Sequence, residues 1–184
     1  LLHRLRRNRS VMRRKITVFL IVLVCFLLQT TLFQSISFLT VAPNLLIIVT
    51  ASFGFMRGKK EGMYIGLLCG ILVDIFYAHV LGGYALLYMY IGYMNGFFRK
   101  LFFPEDFKLP MLLISASDFI YNFMIYFFLF LFRNRLDFPY YLSHVILPEL
   151  VYTLLMMIVL YFIILKVNRR LEEIERKRAA KFVS

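Results

Sequence analysis

The stretch that decides the fold class is ITVFLIVLVCFLLQTTLFQSI, residues Ile16–Ile36, which contains no charged residue. A helix needs about 20 apolar residues to cross about 30 Å of hydrocarbon, because each residue advances it by about 1.5 Å. This segment is long enough to cross. It is too long for a signal peptide and no small-residue cleavage site follows it, so it predicts a first transmembrane helix.

Five further apolar segments follow along the chain. They are predicted at Val41–Met56, Gly62–Ala78, Gly82–Phe98, Pro110–Phe132 and Ser143–Val167. The composition agrees, since 61% of residues are hydrophobic, 17% are charged and the mean hydropathy is +0.77, whereas soluble domains are nearer half apolar. We expect an all-α protein with six transmembrane helices over 16–167. A basic cytoplasmic segment, 1–15, precedes them and a charged cytoplasmic helix, 168–184, follows them.

Positive charge predicts the orientation of these helices. With the N-terminus in the cytoplasm, all but two of the 22 lysines and arginines lie in cytoplasmic segments, and the exceptions are Arg133 and Arg135. Positive residues near membrane spans are retained in the cytoplasm, so both chain ends are predicted there. The outer loops are short, at Ser37–Thr40, His79–Leu81 and Arg133–Leu142.

The net charge of +12 raises the question of which polyanion the chain meets. The basic residues flank the predicted spans and form no stripe with stacking aromatic residues, so no nucleic-acid partner is expected. Anionic lipid of the bilayer is the expected contact of the basic chain ends.

Glycines form a stripe along the third predicted span and repeat in the fourth. Gly62, Gly66 and Gly70 share one helix face at a spacing of four residues, and Gly92 and Gly96 have the same spacing. Glycines let another helix backbone approach closely, which favours association within lipid. Packing between helices of this chain is the favoured interpretation, and a face for a partner's helix is the alternative.

Four polar residues inside the predicted spans are candidate functional residues: Asp74, Asp118, Asn122 and Glu149. A carboxylate within a span is costly unless it faces protein, water or a partner. The favoured interpretation is a hydrogen-bond network between helices, and a cation, proton or substrate site is the alternative.

The helical rise gives each acid an expected depth. Asp74 and Glu149 lie near the outer ends of their spans, so we expect them to share a polar layer with His79 and His144 nearby. Asp118 lies deeper, and the spacing of four residues predicts that it pairs with Asn122.

Patterns typical of catalytic and metal sites are missing from the sequence. There is no GxSG with a downstream histidine, no HExxH and no Walker loop. Cys25 and Cys69 form no CxxC, and the histidines lack the spacing of metal ligands. We expect no enzymatic activity, no cofactor and no metal.

A set of motifs between Pro43 and Gly96 carries a family resemblance. The first are Pro43-Asn44-Leu45-Leu46, Arg57-Gly58, Glu61-Gly62, Gly66-Leu67-Leu68, Gly70 and Asp74. They continue with Leu81-Gly82, Tyr84-Ala85-Leu86, Gly92-Tyr93 and Gly96, and Pro148 with Glu149 agrees in the last span. In these motifs the chain resembles the MreD family, the rod shape-determining membrane proteins of bacteria.

This resemblance implies a function that composition alone does not. It implies a non-enzymatic scaffold in the bacterial inner membrane, within the elongation complex that inserts side-wall peptidoglycan. The implied partner is an MreC-like single-span protein, linked to the MreB filament and to the RodA–transpeptidase synthase. The implied fold is similar to the six-helix substrate-binding subunits of energy-coupling transporters, so binding of a vitamin or metal is the alternative function.

Overall fold

Helices make up nearly all of the chain that the computed structural model describes, which is residues 2–32, 41–77, 82–102, 107–133 and 138–180. We number them α1 (Leu2–Leu27), α2 (Leu45–Arg57), α3 (Lys59–Tyr77), α4 (Gly83–Asn95), α5 (Lys108–Arg133), α6 (Phe138–Tyr141) and α7 (Leu147–Ala180). π-Helical turns at Leu28–Leu32 and Leu142–Ile146 follow α1 and α6, and a 3-10 turn at Gly96–Leu101 follows α4. These ranges contain no strand, so the all-α prediction is confirmed.

Among the described residues, three helical segments are long and apolar enough to cross a membrane: Met12–Thr31, Lys108–Phe128 and Phe138–Lys177. They correspond to the first, fifth and sixth predicted spans. Large apolar side chains are exposed on their outer faces, among them Phe19, Phe123 and Ile158. Exposed apolar faces of this extent are stable in contact with the hydrocarbon of a bilayer rather than with water. The chain is therefore a helical membrane protein.

Helix α2 occupies the centre of the structure. Every residue from Leu45 to Met56 is buried, and α2 packs against α1, α3, α4, α5 and α7. A helix that is apolar on all sides must be enclosed. With 13 residues it is about 20 Å long. The second predicted span is thus a short core helix with protein on all sides.

Ion pairs bring several helix ends to the same end of the structure. Arg14 of α1 pairs with Glu61 in the first turn of α3 at 2.8 Å and with Glu175 near the end of α7 at 3.1 Å. Arg57, the last residue of α2, also reaches Glu175, at 3.5 Å. We call this end, defined by these four residues, the Arg57 end.

The opposite end of the structure holds the other ends of the same helices. Phe26, near the end of α1, contacts Phe76 near the end of α3, with ring centroids 5.0 Å apart. Helices α1, α2 and α3 therefore alternate in direction. The predicted outer-loop residues 37–40, 79–81 and 134–137 lie outside the described residues.

The glycine stripes lie in the closest helix contact of the structure, between α3 and α4. A Cβ added at Gly66 would overlap the carbonyl oxygen of Tyr88, and one at Gly70 would overlap Cα of Ala85. Gly92 lies directly against the backbone of α3 at Gly62, and Gly96 lies against the backbone of Lys59. The five glycines are thus buried within this chain.

Replacing Gly66 by Leu tests this backbone contact. A side chain at this position meets a backbone carbonyl that cannot rotate away, so the free energy of unfolding is expected to fall by about 3 kcal/mol or more. Unfolding in mild detergent is measured with a thiol-reactive dye, because Cys25 and Cys69 are both buried in the native state.

Gly83→Ala is the matched control for this test. A Cβ at the exposed Gly83 meets no atom within 4 Å, so its unfolding midpoint should equal or slightly exceed that of the wild type, since alanine favours a helix more than glycine does. A wild-type midpoint for Gly66→Leu would contradict the close contact of α3 with α4.

Candidate functional site

Asp74 near the end of α3 caps the start of α4. Its Oδ2 accepts hydrogen bonds from the backbone N–H groups of Gly82 and Ala85, each at 3.0 Å, and its Oδ1 accepts one from Tyr84 at 3.1 Å. The first N–H groups of a helix have no partner within the helix. A negative charge near them also interacts favourably with the helix dipole. Gly82 has a φ of 110°, a conformation that glycine adopts without strain. Asp74 thus joins two consecutive helices.

Asn44 has the corresponding role at the start of α2. Its Oδ1 accepts hydrogen bonds from the N–H of Ile47 at 3.2 Å and from the hydroxyl of Tyr88 at 3.0 Å. Its backbone N–H donates to Oγ1 of Thr153 at 3.0 Å. Asn44 is therefore the N-cap of α2 and at the same time links it to α4 and α7.

Another side chain completes this cap from the π-helical turn that follows α1. The N–H of Leu46 donates to Oε1 of Gln29 at 3.4 Å. Asn44 and Gln29 thus accept hydrogen bonds from N–H groups in the first turn of α2, and Thr153 accepts one from the N-cap residue. The start of the central helix is therefore held by the turn after α1, by α4 and by α7.

A polar cluster lies beside this cap, where α2, α5 and α7 meet; we call Asn44, Asp118, Asn122, Glu149 and Thr153 the core polar cluster. Glu149 interacts with the side chains of Asn44 and Asn122, and Asp118 interacts with Glu149 and Thr153. Asp118 is 0% exposed. Neither of its carboxylate oxygens has a well-formed hydrogen bond among the described residues.

These contacts group the acids differently from the depth estimate. Glu149 lies with Asp118 and Asn122, whereas the partners of Asp74 are backbone N–H groups at the N-cap and in the first turn of α4. His144 is exposed and stacks on Tyr140, with ring centroids 4.1 Å apart. His79 lies outside the described residues. The helical rise gives the depth of a residue in the membrane but not the direction in which its side chain points. Because the side chains of Asp74 and Glu149 point towards different neighbours, they have different partners.

Charged and amide side chains form a second network at the Arg57 end. The Arg57 side chain is only 7% exposed, and its Nε donates to Oδ1 of Asn168 at 2.5 Å. The amide of Asn168 donates in turn to Glu172 at 3.0 Å. With Arg14, Glu61 and Glu175 the network joins α1, α2, α3 and α7.

Sequence reasoning missed several buried polar contacts. One is the hydrogen bond from Nδ2 of Asn95 on α4 to Oγ of Ser117 on α5, at 2.7 Å. Another is the hydrogen bond between Arg57 and Asn168. A signal was available, because an amide inside an apolar helical segment needs a partner. The sequence does not state which helix supplies that partner.

Within the described residues no group of three or more His, Cys, Asp or Glu side chains is placed to hold a metal ion. Most buried polar groups there are used in contacts between helices, as capping groups, amide pairs and ion pairs. The fold and the site thus define a helical membrane protein with a core of buried polar contacts.

Comparison with known families identifies the chain more closely. It matches the family described as rod shape-determining protein MreD over residues 12–171, and it belongs to that family. The resemblance seen in the glycine and aspartate motifs is thereby confirmed, and the family connects the chain with rod shape determination. Comparisons with curated proteins and with solved structures give no match.

Substitution of Asp74 tests the cap of α4. Asp74→Ala removes both acceptor oxygens and leaves three N–H groups unpaired, which is expected to lower the free energy of unfolding by about 3 kcal/mol or more. Asp74→Asn keeps one oxygen but turns an NH₂ donor towards a backbone N–H. It should lie between Ala and the wild type, at least about 1 kcal/mol below the latter.

Dye-monitored unfolding measures all three proteins, with Glu173→Gln on the exposed side of α7 as the control for loss of one negative charge. The control should unfold like the wild type. Wild-type stability of Asp74→Asn would show that the second oxygen and the charge contribute nothing.

Proposed function

We propose that this chain is a non-enzymatic membrane scaffold of the bacterial cell-elongation complex. In this proposal it lies in the inner membrane, binds an MreC-like single-span protein and supports side-wall peptidoglycan synthesis. The MreB filament and the RodA–transpeptidase synthase are reached through that partner. The single observation that carries the proposal is the family match over residues 12–171.

The proposed topology has six crossings with both chain ends in the cytoplasm. The alternating directions of α1, α2 and α3 support it, and so do the ion pairs of Arg14 and Arg57 with Glu175, which place the C-terminal part of α7 at the same end as Arg14 and the end of α2. The positive charge of the predicted cytoplasmic segments supports the orientation. In this topology the basic segment 1–15 and the charged segment 168–184 flank the transmembrane domain 16–167, and their described parts, 2–15 and 168–180, are helical extensions of it, because α1 begins at Leu2 and α7 continues to Ala180.

The proposed docking surface for the partner is a lateral, outward-facing one. The glycines that the sequence suggested for this role are buried between α3 and α4, whereas the outer faces of α5 and α7 expose large apolar side chains such as Phe123 and Ile158. A transmembrane helix recognises such a face by close packing, since lipid supplies no hydrophobic drive.

Affinity capture of the tagged chain from gently solubilised native membranes tests the scaffold proposal. Mass spectrometry should recover an MreC-like single-span protein, with or without the wall synthase. A photo-crosslinking residue at outward-facing Phe123 or Ile158 should label this protein. The same residue at buried Ile114, which is 1% exposed, should not label it.

Absence of such a partner from the captured material would contradict the scaffold proposal. Recovery of ATPase and coupling subunits in its place would identify a transporter subunit. Labelling from Ile114 equal to that from the outward positions would contradict lateral docking.

The second candidate function is the substrate-binding subunit of a vitamin or metal transporter. One observation favours it: Asp118 is fully buried and its carboxylate oxygens have no well-formed hydrogen bond among the described residues. A buried carboxylate without a partner is costly, and a bound proton, cation or cationic ligand would offset that cost. Glu149, Asn122 and Thr153 offer further oxygen ligands beside it.

Ligand-dependent stabilisation tests this second function. A ligand that binds only the folded chain at about 100 times its Kd raises the free energy of unfolding by about 2.7 kcal/mol. The unfolding midpoint is followed across a panel of vitamins and of monovalent and divalent cations. A shift that Asp118→Asn abolishes would support the transporter function, and a panel without any shift would contradict it.

A further inference from the structure

A groove between α1 and α3 opens on the side of the structure at the Arg57 end. It has a volume of about 830 Å³, within the range of about 300–1,000 Å³ that is usual for ligand sites. Below its mouth the walls are apolar, with Phe19 from α1 and Leu68 and Ile71 from α3. It lies apart from the core polar cluster, which none of its lining residues joins.

The charges of the groove are confined to its mouth. Arg14, Lys15, Lys60 and Glu61 are the charged lining residues, so the mouth carries an excess of two positive charges. Arg14 and Glu61 are bonded to each other at 2.8 Å. Lys15 and Lys60 are both exposed, and no ion pair of theirs occurs among the described residues. Two ammonium groups are therefore available to an anion at this position.

The length of the groove indicates what fills it. From Lys60 to Ile71 the α3 wall extends about 16 Å at the rise of a helix. One leaflet of a bilayer contributes about 15 Å of hydrocarbon, half of the full thickness. A partner's transmembrane helix needs the whole thickness, whereas the acyl chains of a phospholipid need one leaflet. An apolar groove of one leaflet with cations at its mouth has the shape and charge of a single anionic phospholipid.

We propose that the groove between α1 and α3 is a binding site for one anionic phospholipid, with its phosphate between Lys15 and Lys60 and an acyl chain along Tyr64, Leu68 and Ile71. The site requires only that the chain lies in a membrane, and it does not depend on the scaffold or transporter function. Basic pockets between helices at the membrane surface are the recurring sites of acidic headgroups.

Lipid binding to the full chain in mild detergent tests the proposal by native mass spectrometry. The protein is titrated with phosphatidylglycerol and, separately, with phosphatidylcholine of the same acyl chains. We expect one lipid per chain with roughly tenfold or greater preference for phosphatidylglycerol, since each lysine near an acidic headgroup contributes to affinity. The double variant Lys15→Gln, Lys60→Gln should bind both lipids within about threefold of each other.

Two comparisons make this result specific to the groove. The control variant Arg99→Gln, Lys100→Gln removes the same charge from exposed positions at the Arg57 end but outside the groove, and it should keep the preference. The variant Lys15→Glu, Lys60→Glu should reverse it. Equal binding of both lipids by the wild type, or equal loss of preference in the control variant, would overturn the proposal.

Photo-crosslinking in native membranes distinguishes lipid from protein in the groove. A photoreactive residue at Tyr64, which is exposed at the groove wall, should form a phospholipid adduct. A protein adduct in its place would show a partner helix in the groove and would overturn the lipid assignment.

Discussion

The structure depends on supplying hydrogen-bond partners to short helices that begin inside a membrane protein. Helices α2 and α4 have 13 residues each, and their first N–H groups have no partner within the helix. Asn44 and Gln29 accept hydrogen bonds from N–H groups of α2, and Thr153 accepts one from the N-cap residue Asn44. Asp74 accepts hydrogen bonds from the first turn of α4 and from its N-cap residue. These four side chains come from other helices or from the residue preceding the helix. Capping and tertiary packing are therefore the same interactions in this protein.

The close approach of α3 and α4 follows from the same constraint. For Asp74 to reach two N–H groups of α4 and that of its N-cap residue, the two helices must lie nearly in backbone contact, and Gly66 and Gly70 remove the side chains that would hold them apart. The glycine stripe and the carboxylate are thus parts of one arrangement. Because that arrangement is internal, the surfaces left for lipid and for protein partners are the outer faces of the longer helices and the groove beside α1.

Two acids of similar appearance in the sequence have different surroundings in the structure. Asp74 accepts three backbone hydrogen bonds, so its cost of burial is offset locally. Asp118 has no comparable partners among the described residues and lies with Glu149. Asp74 therefore stabilises the contact of α3 with α4. At Asp118, a bound proton, cation or ligand would offset the cost of burying the carboxylate.

The sequence by itself determined the class of protein, its apolar segments and its family. The length and hydropathy of a segment are local properties, and they decide whether it can cross a bilayer. The stripe of Gly62, Gly66 and Gly70 likewise marked a face for close packing. Tertiary structure alone decided that this face meets α4, that α2 is a short enclosed helix, and that Asp118 rather than Asp74 lies with Glu149. Partners across helices depend on the rotation and tilt of each helix, and these are set by the packing of all the helices together, which no single segment of sequence contains.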